Sequence, residues 1–247
     1  MALSIFESIT MIDIVQQAKD LFSLTITPEQ HNALQQYANL LLEWNSHTNL
    51  TAITDPNEMA VRHFLDSMSL VTVSPFRDGS NVIDVGTGAG FPGLPLAILF
   101  PQVHVTLMDS TGKKINFLEH VIKTLGLKNT RTLKARAEEA GQISHYRAHY
   151  DLVVARAVAR LPILLEYLLP LARIGGLCVA MKGSTAQQEA ADSQKALKEL
   201  RGVLKVIQPV QLPTLDYLHY LVIVEKTGKT PAKYPRSPGT PTKHPLV

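Results

Sequence analysis

Cysteine is almost missing from this sequence: Cys178 is the only one in 247 residues. A single thiol excludes an intramolecular disulfide, and no cysteine-based zinc site or CxxC redox pair can be drawn. This composition suits a reducing cytosol, so a cytoplasmic protein is expected. Missing too is any uncharged apolar run of the roughly 20 residues that a bilayer span requires. The opening stretch MALSIFESITMIDIVQQAKD has no basic n-region, and Glu7 and Asp13 interrupt its apolar residues. It reads neither as a signal peptide nor as an anchor. Metal ligands are equally thin: His145 and His149 stand four apart in HYRAH with no further ligand nearby, a polar loop rather than a metal site. No membrane and no metal partner are expected.

Net charge is small, +3 from 24 Lys+Arg against 21 Asp+Glu, too little to identify a nucleic-acid partner. Its distribution says more. After Glu225 there is no acidic residue, while Lys226, Lys229, Lys233, Arg236 and Lys243 follow one another in a Pro/Gly-rich tail. Composition alone leaves that tail open between a solvated terminus and a phosphate-binding arm.

What is present is a hydrophobic content of 45%, enough for one large core and a small accessory element. TITPEQHNALQQYANLLLEWNSHTNL offers Thr27 as N-cap, Pro28 at the first helical position and Gln30 two residues later, a capping box. Leu34, Tyr37, Leu41 and Trp44 then recur at helical spacing, so one stripe of this helix must be buried. With a helix around Ile12 to Phe22 it forms a helical extension over residues 1–60. From 61 to 226 apolar strand-like runs alternate with helical patterns: NVIDVG, VHVTLMD, TRTLKA, YDLVVARAV, GLCVAMKG, VLKVIQPV and HYLVIVEK. A helix is expected to run on through Leu171, and another over QQEAADSQKALKELR. That alternation predicts an α/β fold, a mostly parallel twisted sheet with helices on both faces. The last two runs leave no room for a helix between them and predict an antiparallel pair at one edge. Residues 227–247 form the basic tail.

In such sheets ligands bind beyond the carboxyl ends of the strands. After the first strand comes DVGTGAGFPGLP, with Gly86, Gly88 and Gly90 at alternate positions. A ligand lying over this turn would clash with Cβ atoms, and glycine also permits the unusual dihedrals. Gly88, Gly90 and Gly93 satisfy the GxGxxG dinucleotide spacing, and Asp109 ends the second strand about 20 residues on, where a carboxylate takes ribose hydroxyls. These features establish an adenosine ligand, whether NAD or S-adenosylmethionine. Two others favour the latter. Pro92 and Pro95 follow the glycines, and Pro95 has no N–H to offer a pyrophosphate; nor does a second catalytic domain for hydride transfer follow the sheet. Ala137 and Glu138, after the third strand, are placed to read an adenine, or to be ordinary charges in a first helical turn.

The blocks WNSHTNLTAITDPNEMAVRHFLDSMSL, NVIDVGTGAGFPGLPLAI, LMDSTGKKINFLEHV, ARAEE, VVARAVARLPILLEYLLPLARIGGLCVAMKG and KYPRSPGTPTKHPL closely resemble, in order, those of the bacterial small-subunit rRNA methyltransferase G family, formerly called glucose-inhibited division protein B. The similarity runs over nearly the whole chain from about Thr27. The resemblance implies a Rossmann-like class I fold using S-adenosylmethionine as cofactor, methylating N7 of one guanine in the 530 loop of 16S rRNA. By position it also implies that Gly86, Phe91, Ala137, Glu138 and Arg156 are cofactor contacts. Ala155 departs from the Ser or Thr that family members commonly carry before the arginine, and Arg160 is unusual in its block.

Guanine N7 carries a lone pair and no proton, so no general base is required and no catalytic acid or base is assigned; Arg156 is the candidate for positioning cofactor or base. N7 lies in the deep, narrow major groove of A-form RNA, so the target must sit in a loop or be pulled from the stack. Phosphate positioning falls to Lys113, Lys114, Arg160, Lys182, Lys233, Arg236 and Lys243, each of them equally readable as an ordinary surface charge. His63 and Asp66, one helical turn apart, either orient the ligand or stabilise their helix. The expected partner is 16S rRNA or the small ribosomal subunit, and a monomer is the default. Two alternatives stay open: a nucleotide-dependent oxidoreductase, and a non-catalytic RNA-binding assembly factor on the same fold.

Overall fold

The computed structural model describes residues 13–73 and 76–247; Glu7 and Ile12, where the first helix was placed to begin, lie outside the described residues. Helix α1 spans Ile14–Phe22 and is capped by the Asp13 carboxylate, which accepts from the Gln16 amide at 3.1 Å. Helix α2 spans Pro28–Thr48 behind the expected capping box: the Thr27 hydroxyl accepts from the Gln30 amide, and the Gln30 side chain accepts from the Thr27 amide. Its buried stripe is Leu34, Tyr37, Ala38 and Leu41, and the Trp44 ring packs on Phe117. Helix α3 (Pro56–Met59) then runs through a π-helical turn at Ala60–Leu65 into α4 (Asp66–Met68) and a 3-10 turn at Ser69–Thr72. Such π turns collect at functional sites, and this one carries Arg62 and His63.

The sheet has seven strands, β1 Asn81–Val85, β2 His104–Asp109, β3 Thr130–Lys134, β4 Tyr150–Arg156, β5 Ala172–Lys182, β6 Gly202–Val210 and β7 His219–Lys226, in the order β3-β2-β1-β4-β5-β7-β6. The first five are parallel, whereas β7 pairs antiparallel with both β5 and β6. Helices α5 (Gly93–Leu99), α6 (Gly112–Leu125), α7 (Ala137–Ala140), α8 (Leu161–Leu168), α9 (Ala186–Ala191) and α10 (Gln194–Leu200) cover it. Alternate strand residues feed opposite faces, as the period of two demands. Val82, Val105, Leu107, Val154 and Val179 meet α1, α2, α5 and α6 on one face. Ile83, Met108, Val153, Cys178 and Val224 meet α8, α9 and α10 on the other. Strand order reverses at β1, which lies between β2 and β4, so the crevice for a ligand opens beyond Val85 and Arg156.

Three local readings change. Helix α8 stops at Leu168 instead of continuing through Leu171, and β5 starts at Ala172, absorbing the Gly175-Gly176 pair where the register with β4 shifts. The single helix expected over QQEAADSQKALKELR is two, because the buried Ser193 hydroxyl donates to the Glu189 carbonyl at 2.6 Å. A serine bonding backward in this way competes with the helical ladder. Third, the tail is no solvated terminus. Tyr234 and Leu246 are buried in the second core, and a short helix α11 (Thr240–Lys243) follows Gly239. Its apolar residues, few but well spaced, outweigh its charge.

Candidate active site

A cavity of about 580 Å³ opens at the carboxyl edge of the sheet, lined by Val85 and Gly86, Met108 to Thr111, Lys114, Ala135 to Glu138, Ala157 to Arg160, and Ile163, Tyr167, Gly239 and Thr242. A smaller one, about 210 Å³, shares Gly86, Lys114 and Ala157 with it and adds Thr51, His63, Gly88, Phe91 and Arg156. A third, about 370 Å³, shares His63, Arg156 and Ala157 with the second and continues past Asp66, Lys182, Glu189 and His219. Three neighbouring chambers therefore run along the strand ends, from β2 and β3 across to β5 and β7, with shared residues as their partitions.

The glycine loop divides by role. Gly88 sits at φ 63°, and a Cβ there would meet nothing closer than the Gly86 carbonyl at 3.9 Å. Its bare backbone faces open space. Gly90, at φ 107°, is filled from within: a Cβ would lie 2.4 Å from Leu94 Cδ1 and 2.9 Å from the Tyr37 hydroxyl. Gly90 lines none of these chambers, so packing rather than a ligand requires it. A Cβ on Gly86 would meet Val158 Cγ2 at 2.7 Å, which ties this position to the loop after β4. The loop is held from below by Asp84, whose Oδ2 accepts from the Thr87 hydroxyl at 2.6 Å and from the Gly93 amide at 2.8 Å. Burial pushes the Asp84 carboxyl up to about 6, against those bonds and the Arg156 charge.

Asp109 is buried at the end of β2. Its Oδ2 accepts from the Gly88 amide at 3.1 Å and from Lys114 Nζ at 3.2 Å, and its Oδ1 from the Thr111 amide at 2.8 Å. Each carboxylate oxygen has two lone pairs, so Oδ1 retains capacity for a hydroxyl donor. Glu138 is buried too, with Oε1 accepting from the Gly239 amide at 3.1 Å. These groups fit an adenosine: a chamber within the roughly 300–1,000 Å³ of small-ligand sites, an open backbone at Gly88, and two carboxylates on its wall.

Arg156 is tied to the π turn and to α4 by three of its five N–H donors. Its Nη1 donates to the Arg62 carbonyl at 2.9 Å and to Asp66 Oδ2 at 3.0 Å, and its guanidinium lies 5.2 Å from the centre of the Phe91 ring. Nη2 stands 3.2 Å from His63 Nδ1. The same Nδ1 lies 3.2 Å from the Arg62 carbonyl, and Nε2 lies 2.9 Å from the Thr51 hydroxyl, so both ring nitrogens are engaged. Burial and the adjacent Arg156 push His63 down to about 4, which keeps the ring neutral. It stacks on Phe91 with centroids 4.5 Å apart. Asp66 Oδ1 completes the network with His219 Nδ1 at 2.9 Å. His63 and Asp66 thus meet through Arg156 rather than as a simple helix pair.

Among the expected phosphate contacts, Lys114 reaches the chambers but pairs with Asp109, and Lys113 donates to the Thr48 carbonyl at 2.8 Å. Arg160 is exposed beside Asp192, Lys233 is exposed beside Glu199, and Lys243 is exposed on α11. Two face inward instead. Lys182 is nearly buried against Glu189 at 2.8 Å, and Arg236 grips the fully buried Glu166 with Nε at 2.9 Å and Nη2 at 2.6 Å. Both are spent on internal carboxylates and cannot offer their charge to a phosphate without unburying them. His145 and His149 lie at the opposite edge of the sheet, and no group of metal-ligating side chains occurs among the described residues.

Sequence reasoning passed over Asp84, Thr51, Tyr37 and His219 as site residues. Asp84 stood inside the quoted glycine block, as the last but one residue of β1, and could have been found there. His219 opens an unremarkable strand and reaches Asp66 only because β7 inserts beside β5, a topology no local pattern encodes.

A family model described as GidB, rRNA small subunit methyltransferase G, matches residues 30–214. The ribosomal RNA small subunit methyltransferase G of Desulforamulus reducens is 43% identical over 236 residues, 96% of this chain and 98% of its own length. That of a Thermoanaerobacter species is 47% identical over 212 residues, 86% of this chain and 88% of its own length. In solved structures the fold recurs in a SAM dependent methyltransferase from Aquifex aeolicus, with a TM-score of 0.54 at 19% identity over 70% of this chain and 94% of that one. It recurs also in M. jannaschii TYW2 in complex with AdoMet, with a TM-score of 0.52 at 14% identity over 66% and 76%. With its glycine loop, its acid-ended second strand and this extent of identity, the chain belongs to the GidB family of rRNA small subunit methyltransferase G enzymes.

Proposed function

We propose that this chain methylates N7 of a single guanine in the 530 loop of 16S rRNA, using S-adenosylmethionine as methyl donor. The observation that carries the reading is the row of three adjoining chambers, with Ala157 lining all of them and Arg156 lining the second and third. The cofactor's adenosine belongs in the large chamber, with its ribose on Asp109 and its adenine beside Ala137 and Glu138. Its reactive end belongs in the small chamber between Gly88, Phe91 and Arg156. The target base enters the third.

When bound, the cofactor supplies an electrophilic sulfonium methyl, and guanine N7 has a lone pair and no proton to lose. The chain therefore needs no acid or base. Its contribution is orientation, which in favourable systems lowers a barrier by up to about 7–11 kcal/mol. Arg156 is held from three sides and fixes the wall shared by cofactor and base. The neutral His63 ring adds a flat apolar surface without a competing charge. Residues 13–60 back the glycine loop, the sheet and helices from residue 61 to 226 hold both ligands, and the tail 227–247 packs beside them. All the residues named here come from one chain, which supports reading the enzyme as a monomer, and an rRNA substrate supports a cytoplasmic location.

The test is tritium transfer from labelled S-adenosylmethionine to 16S rRNA and to small subunits from a strain lacking this gene, followed by mapping of the base. Label at N7 of one loop guanine is expected. Cofactor binding with no label on either substrate would make the chain an RNA-binding assembly factor instead.

A further inference from the structure

Prolines at 231, 235, 238, 241 and 245 make the tail rich in carbonyls and poor in amide donors. Such a segment docks only where the body supplies donors, and here it does. The Arg147 guanidinium donates to the carbonyls of Thr230 at 2.9 Å, Pro231 at 3.1 Å and Tyr234 at 2.7 Å. The Gln142 side chain donates to those of Ala232 at 3.2 Å and Pro235 at 2.7 Å. Pro235 then lies over Gly141, where a Cβ would come within 2.7 Å of its ring. Arg236 locks this path by its forked grip on Glu166, assisted by its own amide on Glu166 Oε1 at 2.8 Å. The bonds are not spread along the body at random. They lead the chain to α7 and α8, two of the helices that border the large chamber.

Beyond the lock, Gly239 and Thr242 line that chamber. The Gly239 amide holds Glu138 Oε1, and the Thr242 hydroxyl lies 3.2 Å from that of Tyr167. We propose that residues Gly239 to Thr242 are part of the cofactor site, forming its closing wall at the adenosine end and fixing the Glu138 carboxylate toward a nucleoside donor. This rests on the cofactor reading given above. The basic tail is then an adenosine-site element rather than an RNA arm: of its cations, Arg236 is consumed in holding it down.

The affinity of S-adenosylhomocysteine, the stable product of methyl transfer, tests this by calorimetry on three proteins: the full chain, a chain ending at Pro238, and the full chain with Thr242→Trp. The shortened chain keeps the Arg236 lock and removes the wall. Thr242 is exposed on its outer side, so the tryptophan variant folds and places bulk at the chamber's mouth. An affinity loss of about tenfold or more is expected for each, tenfold being about 1.4 kcal/mol, with adenosine alone weakened in parallel. Full-length protein that binds no S-adenosylhomocysteine would sink the cofactor reading itself. Tight binding by the full chain with equally tight binding by folded Thr242→Trp overturns the tail assignment and leaves the cofactor reading standing, whatever the stability of the shortened chain.

Discussion

Tyr37 on α2 donates its hydroxyl hydrogen to the Ala89 carbonyl at 2.7 Å, across 52 residues of chain. That bond joins the helical extension to the glycine loop, and the hydroxyl occupies the space that Gly90 leaves open. The Tyr37 ring also packs on Phe64 and Phe91, with centroids 5.6 Å and 5.1 Å away. Helix α2 is thus the floor of the cofactor loop. In Tyr37→Phe the aromatic packing stays while the Ala89 carbonyl loses its donor, a cost of about 1–3 kcal/mol for a buried group. Melting should register this loss, and calorimetry should show weaker S-adenosylhomocysteine binding with RNA affinity hardly changed. A variant as stable and as tight as the parent would mean that the loop holds its shape without α2.

Asp84 and His63 are both buried near Arg156, and their protonation shifts run in opposite directions. Asp84 is raised to about 6, so the native state keeps a proton that the unfolded chain has released. Its contribution to stability is complete below the ordinary carboxylate range and is lost as pH rises through about 6. His63 is lowered to about 4, so the native state gives up a proton that the unfolded chain retains. Its contribution is complete above the ordinary imidazole range and is lost as pH falls through about 4. Between about pH 4 and 6 the two slopes oppose each other and largely cancel. Relative to the parent, Asp84→Asn should therefore gain stability as pH rises through this window, and His63→Gln should lose it. Denaturant melts across the window check both signs, and parallel curves for all three proteins would contradict them.

Asp109→Ala removes the acceptor for Gly88, Thr111 and Lys114 together with the ribose partner. Cofactor affinity should fall by tenfold or more, about 1.4 kcal/mol per tenfold, while RNA binding by the free enzyme barely moves. Equal losses in both would remove the ribose assignment.

Most of the fold was legible because it is written in local periodicity. The capping box at Thr27, the buried stripe through Leu41, four of the seven strand starts and two more to within one residue needed nothing beyond neighbouring residues. Cys178 and Val179 alternate between the two faces as a strand must. The start of β5 was missed because Gly175 and Gly176 look like a turn, and only pairing with β4 makes them a bulge. Around the candidate site, the contact of Asp109 with the Gly88 amide joins positions that spacing alone had singled out, because both lie within one βαβ unit. Partners distant in sequence could not. Arg156 reaches Asp66 and Arg62 across about 90 residues, and Arg236 reaches Glu166 across 70. Composition counted Lys182 and Arg236 as charges for a partner, whereas burial decides their use: an acidic residue with no solvent must find its counter-ion inside the protein.

Lys182 and Arg160 both stood as phosphate contacts, and the structure gives them opposite fates. Arg160 is 62% exposed with Asp192 beside it at 2.8 Å, a surface pair that contributes little to stability. Arg160→Ala should leave the melt within about 0.5 kcal/mol of the parent while lowering the slope of log affinity for RNA against log salt by about one. Lys182 and Glu189 are each only 10% exposed, and Glu189 Oε2 also accepts from the Leu161 amide at 2.7 Å, fixing the start of α8. Lys182→Met leaves that carboxylate with the Leu161 amide and the Thr185 hydroxyl but no counter-ion, and breaking a buried pair from one side costs about 3–5 kcal/mol. The variant should be strongly destabilised, and where still folded its salt slope should match the parent's. If instead Lys182→Met melts normally and loses slope, the Glu189 pair is dispensable and the lysine is free to meet phosphate after all.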